Sequence, residues 1–210
     1  MNNPFVQPTT VDTTVFIDIE TDRLNPIQAN PIQIAAIAVD RDTLAPIEEF
    51  EIKIAFPVEF ASPDALERNC YTPEAWIKAA LPLTAMTEFN GFLDGHGSWE
   101  RTAKSSGKTY ATAELAGHNI ALYDAVLLRS WYKRFDGFLP AAAWVTGPVD
   151  TMQMARSIEW ARGERWEEGF SLGALCKRFG IVLEGEHDAL NDVLATVELA
   201  KQLRGMIKEA

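Results

Sequence analysis

The sequence predicts an α/β fold, a mixed central sheet flanked by helices, and three observations carry that prediction. Three β-rich runs occupy the first quarter of the chain, Val15–Ile17, Ile32–Val39 and Phe50–Ile54, joined by links too short to hold a crossover. Helical periodicity dominates the remaining three quarters, broken by one further strand-like run at Glu114–Gly117. The chain has 210 residues, 47% of them hydrophobic and only 23% charged, enough to bury one substantial core and to read as one domain.

Residues 1–13 are polar and proline-bearing, so a poorly ordered start is expected before a single domain over 14–208. The three early runs form an antiparallel meander, the simplest path for short links. From Ser62 the pattern turns helical, with Pro63–Asn69, a short helix from Thr72-Pro73-Glu74 through Ala80, and a longer amphipathic helix over Leu83–Leu93. Residues 94–112 are rich in Gly, Ser and Lys and lack periodicity, which predicts a mobile loop insertion. Its Gly107-Lys108-Thr109 is not a phosphate loop, because the first glycine of that motif would fall on Thr102. Glu114–Gly117 is a fourth strand, followed by a helix over Leu122–Phe135 and a short strand near Trp144-Val145. Helices at Met152–Trp160, Leu172–Phe179 and Asp188–Lys208 complete the domain.

With 19 Lys and Arg against 30 Asp and Glu, the formal charge is −11, which on its face argues against a broad polyanion-binding surface. No apolar run reaches 18 residues, and the first residues lack a basic region followed by an apolar stretch. Neither a membrane span nor a signal peptide is expected, and the location expected is cytoplasmic. Cys70 and Cys176 are far apart, match no zinc spacing and read as buried thiols.

Four carboxylates stand apart from the rest. Asp18 and Glu20 are two apart on an extended segment, so their side chains share one face, and two like charges at the end of an apolar strand need a cation or a proton to coexist. Asp124 falls in the first turn of a helix, where an acidic residue ordinarily complements the dipole. Asp188 fits the N-cap of the last helix, a structural role. Asp192 is one turn further in, on the face of Ala195, Thr196 and Leu199, with His187 just outside the helix and able to reach toward it.

In order and spacing, Asp18-x-Glu20, Asp124 after Gly117-His118-Asn119, and His187-x-Ala189-x-x-Asp192 resemble the three motifs of the DnaQ-like, proofreading-type 3′→5′ exonucleases. Those enzymes form the histidine-containing subclass of the DEDD superfamily. Val149–Met152 and Phe170–Ile181 resemble the linking segment between its second and third motifs, so the likeness covers residues 13–205. It implies an RNase H-like fold and phosphodiester hydrolysis with two divalent ions, Mg²⁺ or Mn²⁺, as cofactors. Carboxylate oxygens suit such hard cations, and a pair about 3.5–4 Å apart stabilises both the attacking and the leaving oxygen.

The resemblance assigns Asp18, Glu20 and Asp192 to the ion that activates water, with Asp18 bridging to the second ion and Asp124 acting directly or through water. His187 becomes the general base, suited to the task near neutral pH by an unperturbed pKa of about 6.5. Thr21, Arg23 and Leu24 receive the terminal nucleotide, Leu24 as a wedge against the last base and Arg23, where many relatives carry glycine, as a phosphate contact. His118 and Asn119 are further substrate-binding positions. Tyr123, Trp99 and Trp131 are aromatic and could stack on bases, although Trp131 sits on an apolar helix face that favours the core. Arg101, Lys104 and Lys108 could assist from the 94–112 loop. The partner expected is a single-stranded DNA or RNA 3′ end, with a polymerase or other replication or repair protein alongside and no membrane. DNA is slightly favoured. The competing readings are an oligoribonuclease and a catalytically idle nucleic-acid- or polymerase-binding module.

Overall fold

The computed structural model describes residues 12–104, 107–141, 147–183 and 188–208. Its five-stranded sheet is built from β1 (Thr13–Thr21), β2 (Pro31–Asp40), β3 (Pro46–Lys53), β6 (Glu114–Gly117) and β7 (Val149–Asp150), in the order β3-β2-β1-β6-β7. The first three strands form the expected antiparallel meander. β6 joins β1 in parallel and β7 joins β6 in parallel, and each of these pairings needs a crossover. α1 (Pro63–Arg68) and α2 (Pro82–Gly95) lie in the first crossover, and α3 (Asp124–Arg134) lies in the second. The last three helices are α4 (Thr151–Arg162), α5 (Leu172–Phe179) and α6 (Ala189–Lys208).

The two-residue period of β1 sorts its side chains between two cores. Val15, Ile17 and Ile19 pack with Phe89 and Leu93 of α2 and with Leu127 and Trp131 of α3. Phe16 faces the opposite side, toward Val193, Val197 and Ala200 of α6. Each such side chain contributes about 1.5–3 kcal/mol by leaving water. Continuing the alternation puts Asp18 and Glu20 on the α6 side, at the point where the apolar part of the strand has ended. A third cluster, with Ile158, Leu175, Leu199 and Leu203, locks α4 and α5 onto α6.

Several expectations are corrected. Thr72–Ala80 forms a series of turns in place of a helix, because its backbone is drawn to the sheet: the Ala80 N–H donates to the Lys53 carbonyl at 2.8 Å and the Trp76 indole to the Ile32 carbonyl at 3.2 Å. The 94–112 segment contains a two-stranded hairpin, β4 (Trp99–Thr102) with β5 (Thr109–Thr112), pairing Trp99 with Thr112 and Arg101 with Tyr110. Its short alternation was hidden by the Gly- and Lys-rich turn. Cys176 is buried as expected, whereas Cys70 is exposed, in a turn with φ +48°. The strand expected near Trp144-Val145 and the start at 1–11 lie outside the described residues, although Thr13 already belongs to β1. Among the described residues no helix is long and apolar enough to cross a membrane.

Candidate active site

Asp18 and Glu20 sit at the C-terminal end of β1, where a register shift between Glu20 and Thr21 ends the regular ladder with β2. Asp192 meets them from the first turn of α6. That turn is fixed by Asp188, whose side chain accepts the Leu190 and Asn191 N–H groups at 3.2 Å, the capping role expected of it. One carboxylate oxygen each from Asp18, Glu20 and Asp192 lie within 4.8 Å of one another.

Asp124 reaches the same place by another route. β6 approaches β1 so closely that a Cβ on Gly117 would lie 2.8 Å from the Ile17 carbonyl oxygen. The chain then reverses through Asn119, at φ +58°, a conformation that asparagine tolerates better than most side chains. Asp150 holds this loop: its carboxylate accepts from the N–H of Asn119 at 3.2 Å and of Ala121 at 3.1 Å. The same carboxylate accepts from the N–H of Met152 and Gln153, capping α4. Asp124 comes next as the first residue of α3, 5% exposed.

The convergence has an electrostatic cost. Burial, then the neighbouring Asp124, Glu20 and Asp192, hold the Asp18 carboxyl well above the usual carboxylate range. Burial and Asp192 push Glu20 up to about 7, against the opposing pull of Arg68. Burial is also the main cause for Asp124, pushed up to about 8 despite stabilising backbone hydrogen bonds. Such a group is stable only if protons or cations supply positive charge. Three hard oxygen donors within one ion's reach fit a divalent metal site.

These carboxylates line a cleft of about 590 Å³ together with Thr21, Arg23, Leu24, His118 and Asn119, so all of the expected substrate positions border it. Leu24 is 80% exposed, an apolar side chain left at the rim. Arg23 is committed elsewhere: its guanidinium grips the fully buried Asp22 through Nε at 3.1 Å and Nη2 at 3.0 Å, and Nη2 also donates to the Phe60 carbonyl at 2.8 Å. Asp22 in turn accepts from the Asn30 backbone and side chain, so this bracket closes the β1–β2 connection. His118 is tied as well. Its Nε2 donates to the Phe170 carbonyl at 2.9 Å, which leaves Nδ1 to accept from the Thr151 hydroxyl at 2.9 Å. Burial lowers its pKa and keeps that tautomer neutral.

Tyr123 borders the cleft with its hydroxyl bonded to Thr21 Oγ1 at 2.9 Å and to the Arg23 carbonyl at 3.1 Å, which fixes the ring. Trp131 is 1% exposed and belongs to the core. Trp99, Arg101, Lys104 and Lys108 belong to the hairpin region and do not line the cleft. His187 lies outside the described residues. Sequence reasoning missed the wall contributed by α1 and its flanks, Ser62, Asp64, Arg68 and Asn69. Asn69 is 7% exposed and its Nδ2 donates to the Thr21 carbonyl at 3.1 Å, steadying the end of β1. It also missed Asp150 as the brace of the Asn119 loop, for which an aspartate immediately before a helix was the available signal.

A mixed five-stranded sheet of this order, with an acidic cluster where its first strand ends, defines the class as an RNase H-like exonuclease fold. The family model RNase_T, an exonuclease family, matches residues 15–200, and the chain belongs to that family. It is similar to the PolC-type DNA polymerase III of Streptococcus thermophilus, 29% identical over 197 residues, covering 89% of this chain and 11% of the polymerase. The Staphylococcus aureus PolC-type polymerase is 25% identical over 197 residues, covering 94% of this chain and 12% of the polymerase. The chain thus spans about a tenth of these relatives. Among solved structures, E. coli exonuclease I in complex with a dT13 oligonucleotide aligns with a TM-score of 0.73 at 23% identity, over 94% of this chain and 42% of that one. A product-bound exonuclease I aligns at 0.75 and 22% identity, over 95% of this chain and 45% of that one. Both are likenesses of fold.

Proposed function

We propose that this chain is a divalent-metal-dependent 3′→5′ exonuclease that acts on single-stranded ends, DNA in preference to RNA, and releases nucleoside monophosphates. The observation that carries the reading is the convergence of Asp18, Glu20, Asp124 and Asp192 in one cleft, delivered by three separate elements, the end of β1 and the first turns of α3 and α6. A binding module would gain nothing from four mutually repelling carboxylates. Asp18, Glu20 and Asp192 would hold one Mg²⁺ or Mn²⁺, with Asp18 shared with a second ion and Asp124 its further ligand. Bound divalent ions supply positive charge for the attacking and leaving oxygens of the phosphodiester.

The chain's own residues do the rest. His187 takes the proton of the attacking water, for which it must be neutral. Leu24, exposed at the rim, packs against the last base, while Thr21 and Tyr123 shape the floor beneath it. His118, neutral and held at both nitrogens, keeps the Asn119 turn in place beside the substrate. The preference for DNA rests on the relatives, which are DNA polymerases, and on the fold neighbour that carries dT13. The PolC likeness also makes a replication polymerase the partner to test first. Asp18→Ala tests the reading: nucleotide release is expected to fall by at least about a hundredfold, and undiminished release would remove it.

A further inference from the structure

A nucleic-acid end must enter a cleft bordered by five carboxylates, Asp18, Glu20, Asp64, Asp124 and Asp192. Two cationic side chains border it as well, Arg23 and Arg68. Arg23 spends its guanidinium on Asp22 and the Phe60 carbonyl, contacts that close the β1–β2 connection and keep the buried Asp22 charge paired. Releasing it to a substrate would remove the charged partner of that carboxylate and leave it only the Asn30 backbone and side-chain donors. Arg68 is differently placed. It stands in the last turn of α1, exposed, and makes no hydrogen bond or ion pair among the described residues. Its neighbour Asn69 is anchored to the end of β1 through the Thr21 carbonyl, which fixes the backbone from which Arg68 projects. Its charge is felt at Glu20, so it lies within electrostatic reach of the carboxylate cluster.

We propose that Arg68 is the phosphate contact of this cleft, pairing with the sugar-phosphate backbone of the nucleic-acid end, the role that the family resemblance suggests for Arg23. The inference rests on the exonuclease reading above. A guanidinium with all its donors available can grip two phosphate oxygens at once, and one such contact carries a countable salt dependence.

The test is kcat/KM for a single-stranded DNA oligonucleotide at saturating Mg²⁺, measured across a salt series for wild type, Arg68→Gln, Arg68→Lys and Arg23→Gln. Arg68→Gln is expected to lower kcat/KM roughly tenfold at low salt, mostly through KM, and to make the slope of log(kcat/KM) against log[salt] less negative by about 0.7. Arg68→Lys retains the charge and is expected to keep most of the slope. Arg23→Gln is expected to leave the slope unchanged, whatever it does to stability. An unchanged slope in Arg68→Gln, or a loss of slope in Arg23→Gln, would overturn the proposal. Because Arg68 is exposed and makes no bond within the described chain, its variants should fold. If wild type releases no nucleotide from any oligonucleotide with Mg²⁺ or Mn²⁺, the exonuclease reading fails first, an outcome distinct from an active enzyme with an unaltered slope.

Discussion

Replacing Glu20 with glutamine should make the metal-free protein more stable while making it a poorer enzyme. The Glu20 carboxyl is held at about 7 against an ordinary 4.5, first by burial and then by Asp192. The folded state therefore binds this proton more tightly than the unfolded state does. Its stabilising contribution is complete below about pH 4.5 and is lost as pH rises through 7. The gap corresponds to about 3 kcal/mol, which for a chain of this size is about 6–12 °C in melting temperature. Glutamine keeps the shape and removes the charge. In chelator-treated protein at pH 8, Glu20→Gln should melt above wild type by up to that amount, and at pH 5 the difference should nearly vanish. Excess Mg²⁺ should raise the melting temperature of wild type and leave the variant much less affected. A variant that melts at or below wild type at pH 8, or a difference indifferent to pH, would refute the claim that the cluster stores repulsion.

Three further outcomes are expected. His187→Ala at saturating metal should lose about 10²–10⁴ in kcat, and the wild-type rate should fall on the acid side as the imidazole protonates. Asp150→Ala removes one acceptor from four backbone N–H groups in the Asn119 loop and at the start of α4, so it should cost about 2–4 kcal/mol in denaturant unfolding. Asp192→Asn should abolish the Mg²⁺-induced rise in melting temperature while leaving the capping of α6 by Asp188 intact, which circular dichroism can verify.

The sheet was legible because β1 and β2 are apolar on both faces and β-rich, and the carboxylates were legible because they interrupt that pattern at spacings with a geometric meaning. Asp18 and Glu20 share a face by period alone, and the place of Asp192 can be read from the N-cap at Asp188. What stayed hidden depends on distant partners. Thr72–Ala80 has helical signals, but its hydrogen bonds are claimed by the edge of the sheet. Arg23 looked available because its partner, Asp22, is adjacent in sequence and becomes buried only when the β1–β2 connection folds over it. The α1 wall of the cleft, Asp64, Arg68 and Asn69, is brought to β1 by a contact 48 residues away in sequence, between Asn69 and Thr21, which no local pattern announces. The acidic balance of −11 is sharpened by the same geometry. Binding is expected at one charged cleft that needs metal and is bordered by the exposed Arg68, in place of a broad basic face.

The measurement that tests the central claim most directly is product sizing from 5′-end-labelled single-stranded DNA incubated with Mg²⁺, Mn²⁺ or a chelator, with a matched RNA alongside. Stepwise shortening from the 3′ end, mononucleotide products, a faster rate on DNA and complete suppression by the chelator are predicted. Internal cuts, or digestion that proceeds unchanged in the chelator, would contradict the account.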